Sequence, residues 1–246
     1  MNVIKLGGSL LADPVRRAEA LNALSKQWLS GEEIVLVHGG GKHVDANLKR
    51  LGIPKRTYAG LRVTDDDTLD VVVATLAGSV NKMLVAELAA IGVRSAGISG
   101  CDASTLTAEL HPPIDGVDFG HVGNVIGGDP ALINALVTSG ILPVVSSVAE
   151  GPNGTLLNVN ADSAAAAIAV SLGAEELIFI TDVAGLLDAR GNVVAELYAA
   201  EAEALLGTSV VTGGMRPKLQ AALHALGSGV RRITIGEEGG TNLVAA

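Results

Sequence analysis

Short, continuous runs of apolar residues recur along the chain and alternate with longer segments of helical pattern. A run of this kind, without polar residues at every second position, is typical of a strand buried on both faces of a mainly parallel sheet. We therefore predict strands at residues 2–6, 34–38, 93–98, 141–147, 177–181 and 231–235. Strands that alternate with helices predict an α/β fold with helices on both faces of the sheet.

Several of the predicted helices have recognisable ends, because capping side chains favour a start and glycine favours a stop. Thr64 with Asp67 should cap the start of a long helical pattern that runs to about Ile91. Asp129 and Pro130 should begin a helix that stops at Gly140. Two alanine-rich helices should stop at Gly173 and Gly227. Hairpins are expected within residues 104–126 and 187–194.

The composition is that of a packed globular protein and argues against nucleic acid as a partner. Hydrophobic residues make up 48% of the 246 and aromatic residues only 2%, so the core must be aliphatic. The net charge is −9 with no basic block, which disfavours nucleic acid and anionic membranes. Cys101 is the only cysteine, so no intrachain disulfide can form. Polar residues and glycines interrupt the apolar runs, and the first strand begins at once. We therefore expect no spanning helix, no signal peptide and a cytoplasmic protein.

Two glycine loops follow the first two predicted strands. Lys5 lies in the first strand, just before Gly7 and Gly8. A buried lysine needs an anionic partner, and paired glycines let another group approach the backbone. The second loop, "VHGGGKH", contains Gly40 and Gly41 and matches neither the P-loop nor the dinucleotide-binding fingerprint. Each loop alone could be a tight turn, but two together favour an anion-binding cradle.

Two charged residues lie near predicted helix starts. Asp162 could simply stabilise its helix through the helix dipole, or it could line a site together with Asn158 and Asn160. Lys218 is disfavoured by the dipole at such a position, so it is either solvated or faces an anion.

Six segments carry a resemblance to a known family. "KLGG", "VHGGG", "GLRVT", "NVNAD", "TDVAGLLD" and "GGMRPK" occur in this order, and together they resemble the motifs of acetylglutamate kinases in the amino-acid kinase family. The resemblance spans essentially the whole chain. It implies one domain with an open, mostly parallel eight-stranded sheet between helices, an acyl-amino-acid lobe at about 1–174 and an ATP lobe at about 175–246. It also implies ATP-dependent phosphorylation of the side-chain carboxylate of N-acetyl-L-glutamate in arginine biosynthesis.

The resemblance assigns roles to individual residues. Lys5 and Lys218 match the lysines that stabilise the transferred phosphoryl group, and Asp162 matches the carboxylate that orients both. Gly7 and Gly8 match the phosphate loop. The matches for substrate binding are Gly40, Gly41, Arg62 and Asn158, and those for ATP binding are Asp182, Val183, Ala184, Gly185, Leu186, Leu187, Val210, Val211 and Thr212. The resemblance also implies that the cofactor Mg²⁺ is carried by ATP. His38, His121 and Cys101 lack metal-ligand spacing and are interpreted as structural.

Alternatives remain open from the sequence. A sister kinase could act on N-succinylglutamate or carrier-linked aminoadipate, and a non-catalytic nucleotide or amino-acid sensor could share the fold. Arg62, outside its motif, would be an ordinary solvated arginine. The resemblance also implies a homodimer, with residues 64–91 as a candidate two-fold contact. A strand that begins at Asn2 predicts that the amino-terminal helix of arginine-inhibited hexameric relatives is missing, and therefore predicts insensitivity to arginine.

Overall fold

The computed structural model describes residues 1–181, 183–188, 190–208, 211, 213–236 and 239–245. The strands are Asn2–Leu6 (β1), Ile34–His38 (β2), Thr57–Tyr58 (β3), Leu61–Arg62 (β4), Ser95–Ser99 (β5), Thr107–Leu110 (β6), Val122–Gly127 (β7), Leu142–Ser146 (β8), Val148–Glu150 (β9), Leu156–Val159 (β10), Glu176–Ile180 (β11), Glu196–Tyr198 (β12), Arg232–Ile235 (β13) and Thr241–Val244 (β14). The α-helices are Gly8–Ala12 (α1), Pro14–Leu29 (α2), Gly41–Leu51 (α3), Asp66–Val73 (α4), Asn81–Ala90 (α5), Ala131–Thr138 (α6), Ala161–Ser171 (α7), Ala199–Leu206 (α8) and Met215–Gly227 (α9). A π-helix, Ala74–Val80, joins α4 to α5, and short 3₁₀ turns lie at Asp102–Ser104 and Pro152–Gly154.

The main sheet has eight strands in the order β12-β14-β13-β11-β1-β2-β8-β5. Neighbouring strands are parallel except β13 and β14, which are antiparallel. The prediction of an α/β fold with an open, mostly parallel eight-stranded sheet is therefore confirmed. Strands β10, β7, β6 and β9 close a small barrel that the sequence patterns did not predict, although the hairpin expected within residues 104–126 is present as the antiparallel pair β6 and β7.

Helices cover both faces of the sheet, and the alternation of side chains in β1 shows the two layers. Val3 belongs to the core that β1 and β11 form with α7 and α9, whereas Ile4 and Leu6 belong to the core that packs against α2 and α5. All three side chains are buried, as expected for a strand with two covered faces. Because successive side chains point to opposite faces, Lys5 lies on the same face as Val3, toward α7 and α9.

The bounds of β1 and β2 are those predicted, the other predicted strands differ from the observed ones by one or two residues at their ends, and one predicted cap is wrong. β5 covers residues 95–99 rather than 93–98, and β11 covers 176–180 rather than 177–181. The long helical stretch is capped by Asp65, which accepts a hydrogen bond from Thr68 N at 3.0 Å, and not by the pair Thr64 and Asp67. Thr64 is held instead in an extended pairing with Gly120 and His121, so it cannot serve as the cap.

The other helix ends follow the expected chemistry more closely. Asp129 accepts a hydrogen bond from Ala131 N at 2.8 Å, although Pro130 precedes the helix rather than filling its first position. Gly140 and Gly173 follow their helices with positive φ angles of 67° and 57°, which favour glycine. The last helix, α9, ends at Gly227 as expected but begins at Met215, so Lys218 is its fourth residue. Leu187 and Val193 pair within the second expected hairpin.

Residues 66–90 form one continuous helical stretch of 25 residues, and an 18-residue window within it has a mean hydropathy of 1.5. By length and composition alone this stretch could cross a membrane. The sequence analysis expected no helix of this kind. Buried core helices pass the same test, and Leu84 and Leu88 of this stretch are fully buried in the protein core. The stretch also supplies Val72 and Leu76, which line the cavity described below.

Candidate active site

The carboxyl ends of the central strands are aligned at one edge of the sheet. Leu6, the last residue of β1, pairs with His38 of β2 and with Ile180 of β11, and His38 pairs with Ser146 of β8. The loops that follow these strands therefore emerge side by side. In open α/β sheets this edge is where ligands bind.

Lys5, Asp162 and Lys218 meet at this edge as a buried cluster. Lys5 Nζ lies 2.7 Å from Asp162 Oδ1, and Lys218 Nζ lies 2.9 Å from the same oxygen. The three residues are only 5–7% exposed. The described part of the site therefore brings two ammonium groups to one carboxylate beside the cavity, an arrangement that suits an anionic ligand. Near a helix start, Lys218 was expected either to be solvated or to face an anion, and the carboxylate of Asp162 is that anion.

The charges in the cluster keep Asp162 ionised. Burial by itself would raise the pKa of Asp162, but the opposite charges and hydrogen bonds of Lys5 and Lys218 lower it below the ordinary value of 3.8. Lys218 Nζ also lies 4.9 Å from the centroid of the Phe179 ring, within the range of a cation–π contact. The ring covers the lysine on the sheet side, so its ammonium group is held by several contacts.

Helix packing brings the three residues together. Asn160 caps α7 by accepting hydrogen bonds from Asp162 N and Ser163 N, which fixes Asp162 in the first turn. Helix α9 packs against α7, so Lys218 in its first turn approaches Asp162 from the neighbouring helix. Lys5 reaches the same atom from the sheet, because its side chain points to the α7 and α9 face.

The two glycine loops border this cluster. A Cβ atom added at Gly7 would lie 2.9 Å from Ile180 O, so the first loop can pass β11 only without a side chain. Gly40 has a φ angle of 154°, which L-residues rarely adopt. Gly41 begins α3, and Gly8 begins α1. The described structure thus brings the predicted phosphate loop and the second glycine loop to the same edge as the lysines.

Arg62 is held at the opposite side of the cavity by a carboxylate. Its Nη2 lies 2.5 Å from Asp45 Oδ1, and the other oxygen of Asp45 accepts a hydrogen bond from Lys55 at 2.8 Å. Burial by itself would raise the pKa of Asp45, but the hydrogen bonds and charges of Lys55 and Arg62 lower it. Arg62 Nη1 is buried and has no hydrogen-bond partner among the described residues. A guanidinium group that is fixed on one side and unsatisfied on the other suits a carboxylate ligand.

Asn158 lies at the end of the small barrel and lines the same cavity. Its Nδ2 donates to Thr64 Oγ1 at 3.1 Å, and Thr64 Oγ1 in turn donates to Arg62 O at 3.0 Å. These contacts tie Asn158 to the segment that carries Arg62. Arg62 and Asn158, two of the four residues predicted to bind substrate, are therefore part of one connected wall.

These groups enclose a cavity of about 220 Å³ at the sheet edge. Its lining includes the predicted residues Lys5, Gly8, Gly40, Gly41, Arg62, Asn158 and Asp162. Lys218 touches the cavity's carboxylate but is not part of the lining. A larger cavity of about 650 Å³ lies on the other face of the sheet, beside α2, and contains none of the predicted residues.

The structure adds lining residues that the sequence analysis did not identify, among them Val72, Leu76 and Ser147. Val72 and Leu76 form an apolar wall from the long helical stretch, and Ser147 follows β8. Ser147 stands at the carboxyl end of a predicted buried strand, which is a usable sequence signal for a site residue. Val72 and Leu76 carry no such signal, because an apolar helical residue has the same pattern whether it faces a core or a ligand.

The described residues of the predicted ATP-binding stretches are not among those that line the cavity. Val183, Ala184, Gly185, Leu186 and Leu187 follow β11, next to β1 in the sheet, and Leu186 N donates to Thr241 Oγ1 at 2.8 Å. Leu186 and Val211 are buried in the larger core, whereas Val183 and Leu187 are 39% and 50% exposed. The remaining predicted positions, Asp182, Val210 and Thr212, lie outside the described residues. ATP binding by these stretches stays a prediction.

The two histidines that were interpreted as structural, His38 and His121, contact neighbouring protein groups. His38 bonds to Gly39 and Asn81, and His121 Nε2 lies 2.6 Å from Asp66 Oδ1. Within the described part of the chain, no three His, Cys, Asp or Glu residues are grouped as metal ligands.

Comparison with known proteins identifies the family. The amino acid kinase family matches residues 1–237. A protein named acetylglutamate kinase from Solibacter usitatus (strain Ellin6076) is 41% identical over 258 aligned positions, which cover 99% of each chain. This chain belongs to the amino acid kinase family.

Solved structures agree with that assignment. The crystal structure of smu.665 from Streptococcus mutans UA159 matches with a TM-score of 0.87 and 29% identity, over 99% of this chain and 98% of that one. N-acetylglutamate synthase from Neisseria gonorrhoeae, complexed with coenzyme A and N-acetyl-glutamate, matches with a TM-score of 0.85 and 26% identity. That match covers 99% of this chain but only 59% of the synthase.

Proposed function

We propose that this protein transfers the γ-phosphoryl group of ATP to the side-chain carboxylate of N-acetyl-L-glutamate, forming an acyl phosphate in arginine biosynthesis. The observation that carries the proposal is the binding of Lys5 and Lys218 to one oxygen of Asp162 at the edge of a cavity bordered by glycine loops. The 41% identity to a full-length relative named acetylglutamate kinase supports the choice of substrate.

The chemistry of this transfer needs charge neutralisation more than acid–base catalysis. A glutamate side chain is already ionised near neutral pH, so no general base has to remove a proton. The obstacle is repulsion between the anionic acceptor and the anionic γ-phosphate. Lys5 and Lys218 reduce this repulsion, and their charges stabilise the phosphoryl group during transfer. Asp162 acts as a positioning carboxylate that keeps both ammonium groups at the reacting centre.

The cavity has room for the acyl amino acid next to the lysines. Arg62 would bind the α-carboxylate of the substrate through its guanidinium group, and Asn158 would contact the acetamido group. Backbone N–H groups at the start of α3 would bind the anionic end of the substrate or the phosphoryl group. These contacts hold the acceptor oxygen close to the phosphorus atom, and such positioning supplies a large share of the rate enhancement.

ATP would enter from the side of β11, over the stretch that contains Val183 to Leu187. Mg²⁺ would arrive with the nucleotide and neutralise charge on the β- and γ-phosphates. Asp162 is the only carboxylate among the described residues that line the cavity, and it is already bound to two lysines. This arrangement fits a metal that is held mainly by the nucleotide.

The proposal can be tested by ATP-dependent acyl-hydroxamate formation with hydroxylamine as the trap. N-acetyl-L-glutamate should be turned over with a higher kcat/KM than N-succinyl-L-glutamate or N-acetyl-L-aminoadipate. Lys218→Ala serves as the matched inactive control. Preference for the succinyl or aminoadipate substrate would assign a sister kinase, and tight binding of acetylglutamate and ATP without turnover would assign a sensor.

We further propose a homodimer that works in the cytoplasm, where ATP is available. The outer side of the stretch 66–90 exposes small residues, including Ala74, Ala86 and Ala89, which permit close approach of a second copy. Light scattering of the wild-type protein should give the mass of two chains. The Ala86→Arg variant should give the mass of one chain. A wild-type monomer would contradict the proposal.

A further inference from the structure

His38 is a fully buried histidine at the end of β2, directly before the glycine loop. Its Nδ1 lies 2.8 Å from the carbonyl oxygen of Gly39, and its Nε2 lies 3.1 Å from Asn81 Nδ2. A carbonyl oxygen can only accept a hydrogen bond, so Nδ1 must carry the proton. Nε2 is then the acceptor for Asn81.

Asn81 is oriented by its own partners. Its Oδ1 accepts a hydrogen bond from Lys82 Nζ at 3.1 Å. Its Nδ2 also donates to Val144 O at 2.9 Å and to Ile98 O at 3.2 Å, so its two hydrogens are shared among these oxygens and His38 Nε2. The amide nitrogen of Asn81 therefore faces the imidazole, and a protonated Nε2 would place two donors opposite each other. Asn81 is fully buried, so its amide cannot turn to solvent.

The neutral form of His38 is also favoured by its surroundings. Burial lowers the pKa of His38 to about 4, and the positive charges of His43 and Lys82 act in the same direction, against the hydrogen bond to Gly39. His38 is thus uncharged across the physiological pH range and keeps one tautomer.

This tautomer fixes a peptide plane of the glycine loop. In a trans peptide the C=O and N–H groups point in opposite directions, so a Gly39 carbonyl bound to His38 turns the Gly40 N–H away from the imidazole. Gly39, Gly40 and Gly41 line the cavity. Among the described residues, neither the Gly40 nor the Gly41 N–H donates to a protein acceptor. These N–H groups remain available to an anion.

The π-helix supports the loop from the other side. A Cβ atom added at Gly40 would lie 2.8 Å from Leu76 Cδ2 and 3.5 Å from Val80 Cγ2. Asn81 follows Val80 directly and begins α5. The same helical junction therefore contacts the loop through apolar side chains and holds the imidazole through Asn81. π-Helical segments are frequent at functional sites.

We propose that His38, held by Asn81, is a positioning residue that presents the Gly40 N–H to the anion in the cavity during phosphoryl transfer. The proposal rests on the kinase function proposed above. His38 touches neither reacting group, so its contribution acts through the backbone of the loop.

The test compares His38→Leu with His38→Asn. Leucine removes the donor to Gly39, whereas asparagine has an amide nitrogen at the position of Nδ1 and keeps it. His38→Leu should lower kcat roughly tenfold to a hundredfold, and His38→Asn should stay within about threefold of wild type. The KM for acetylglutamate should change less than kcat in both variants. Leu21→Ala, which creates a cavity in the core beside α2, is the control for general destabilisation. The kcat of its folded fraction should equal that of wild type.

A second variant and a second readout keep the test decisive. Asn81→Ala leaves His38 in place and should also lower kcat. This variant provides the test if His38→Leu does not fold. With ¹⁵N-labelled histidine, NMR should show the Nδ1–H tautomer of His38 without titration between about pH 5 and pH 8. Wild-type kcat in His38→Leu, equal losses in His38→Leu and His38→Asn, or an Nε2–H tautomer would overturn the proposal. An inactive wild type would instead contradict the kinase function, and the NMR result would still decide the geometry of the ring.

Discussion

Lys5 of the first strand and Lys218 of the helix α9 donate to the same oxygen of Asp162, at 2.7 and 2.9 Å. The two lysines come from opposite ends of the sequence and belong to the two predicted lobes. The cluster lies beside the cavity, where its ammonium groups can stabilise negative charge on a bound anion.

Replacing either lysine with alanine should mainly affect turnover. Lys5→Ala and Lys218→Ala each remove a charge that stabilises the phosphoryl group in transfer, so kcat should fall roughly a hundredfold or more, with a smaller change in KM. Steady-state kinetics of hydroxamate formation measures both constants. Lys26→Ala, on the exposed side of α2, is the control and should behave as wild type. Near-normal turnover in either variant would exclude phosphoryl stabilisation as the role of that lysine.

Asp162→Asn should reduce stability in a pH-dependent way. At neutral pH the variant removes the carboxylate that both buried ammonium groups contact, which should cost about 3 kcal/mol in the free energy of unfolding. The pKa of Asp162 is lowered by folding, so its ionised form stabilises the fold above the unfolded pKa near 3.8, and that contribution is lost as the pH falls toward the folded pKa. Urea unfolding should therefore show a difference between wild type and variant that shrinks below about pH 4. A difference that stays constant down to about pH 3 is the contrary result.

Arg62→Ala should weaken acetylglutamate binding and leave ATP binding nearly unchanged. The guanidinium group contacts a part of the substrate that does not react, so the KM for acetylglutamate should rise roughly tenfold or more, with little change in kcat. Asp45→Asn should raise this KM by less, because it loosens Arg62 without removing it. Lys55→Ala removes the other partner of Asp45 and serves as the control. Calorimetry that shows an equal loss of nucleotide affinity would contradict the assignment.

Gly40→Ala should impair both folding and catalysis. Gly40 has a φ angle of 154°, and alanine there should cost on the order of 1–3 kcal/mol of backbone strain or displace the loop. Turnover should fall because the loop carries N–H groups that border the cavity. Gly227→Ala, at the end of α9 with open space around it, is the matched control and should leave both stability and activity intact. Full activity and stability in Gly40→Ala would show that the loop tolerates another geometry.

Much of the fold was predictable because its signals are local. The strands β1 and β2 were located correctly, because a short, continuously apolar run between two helical patterns is typical of a buried strand. The small barrel was not predicted, because its strands are short and one of them, β9, directly follows the main-sheet strand β8 within one apolar segment. Asp65 rather than Thr64 caps the long helix because Thr64 pairs with a distant loop, which no local pattern records.

The sequence by itself determined the α/β class, the positions of the glycine loops and the types of charged residue available for chemistry. These properties depend on side-chain period and backbone freedom within a few residues. Only the tertiary structure decided which groups meet: Lys5 with Lys218 at Asp162, Arg62 with Asp45, and His38 with Asn81. These contacts depend on strand register and helix packing between distant parts of the chain. A hydrophobic pattern specifies which face of an element is buried, but not which element will cover it.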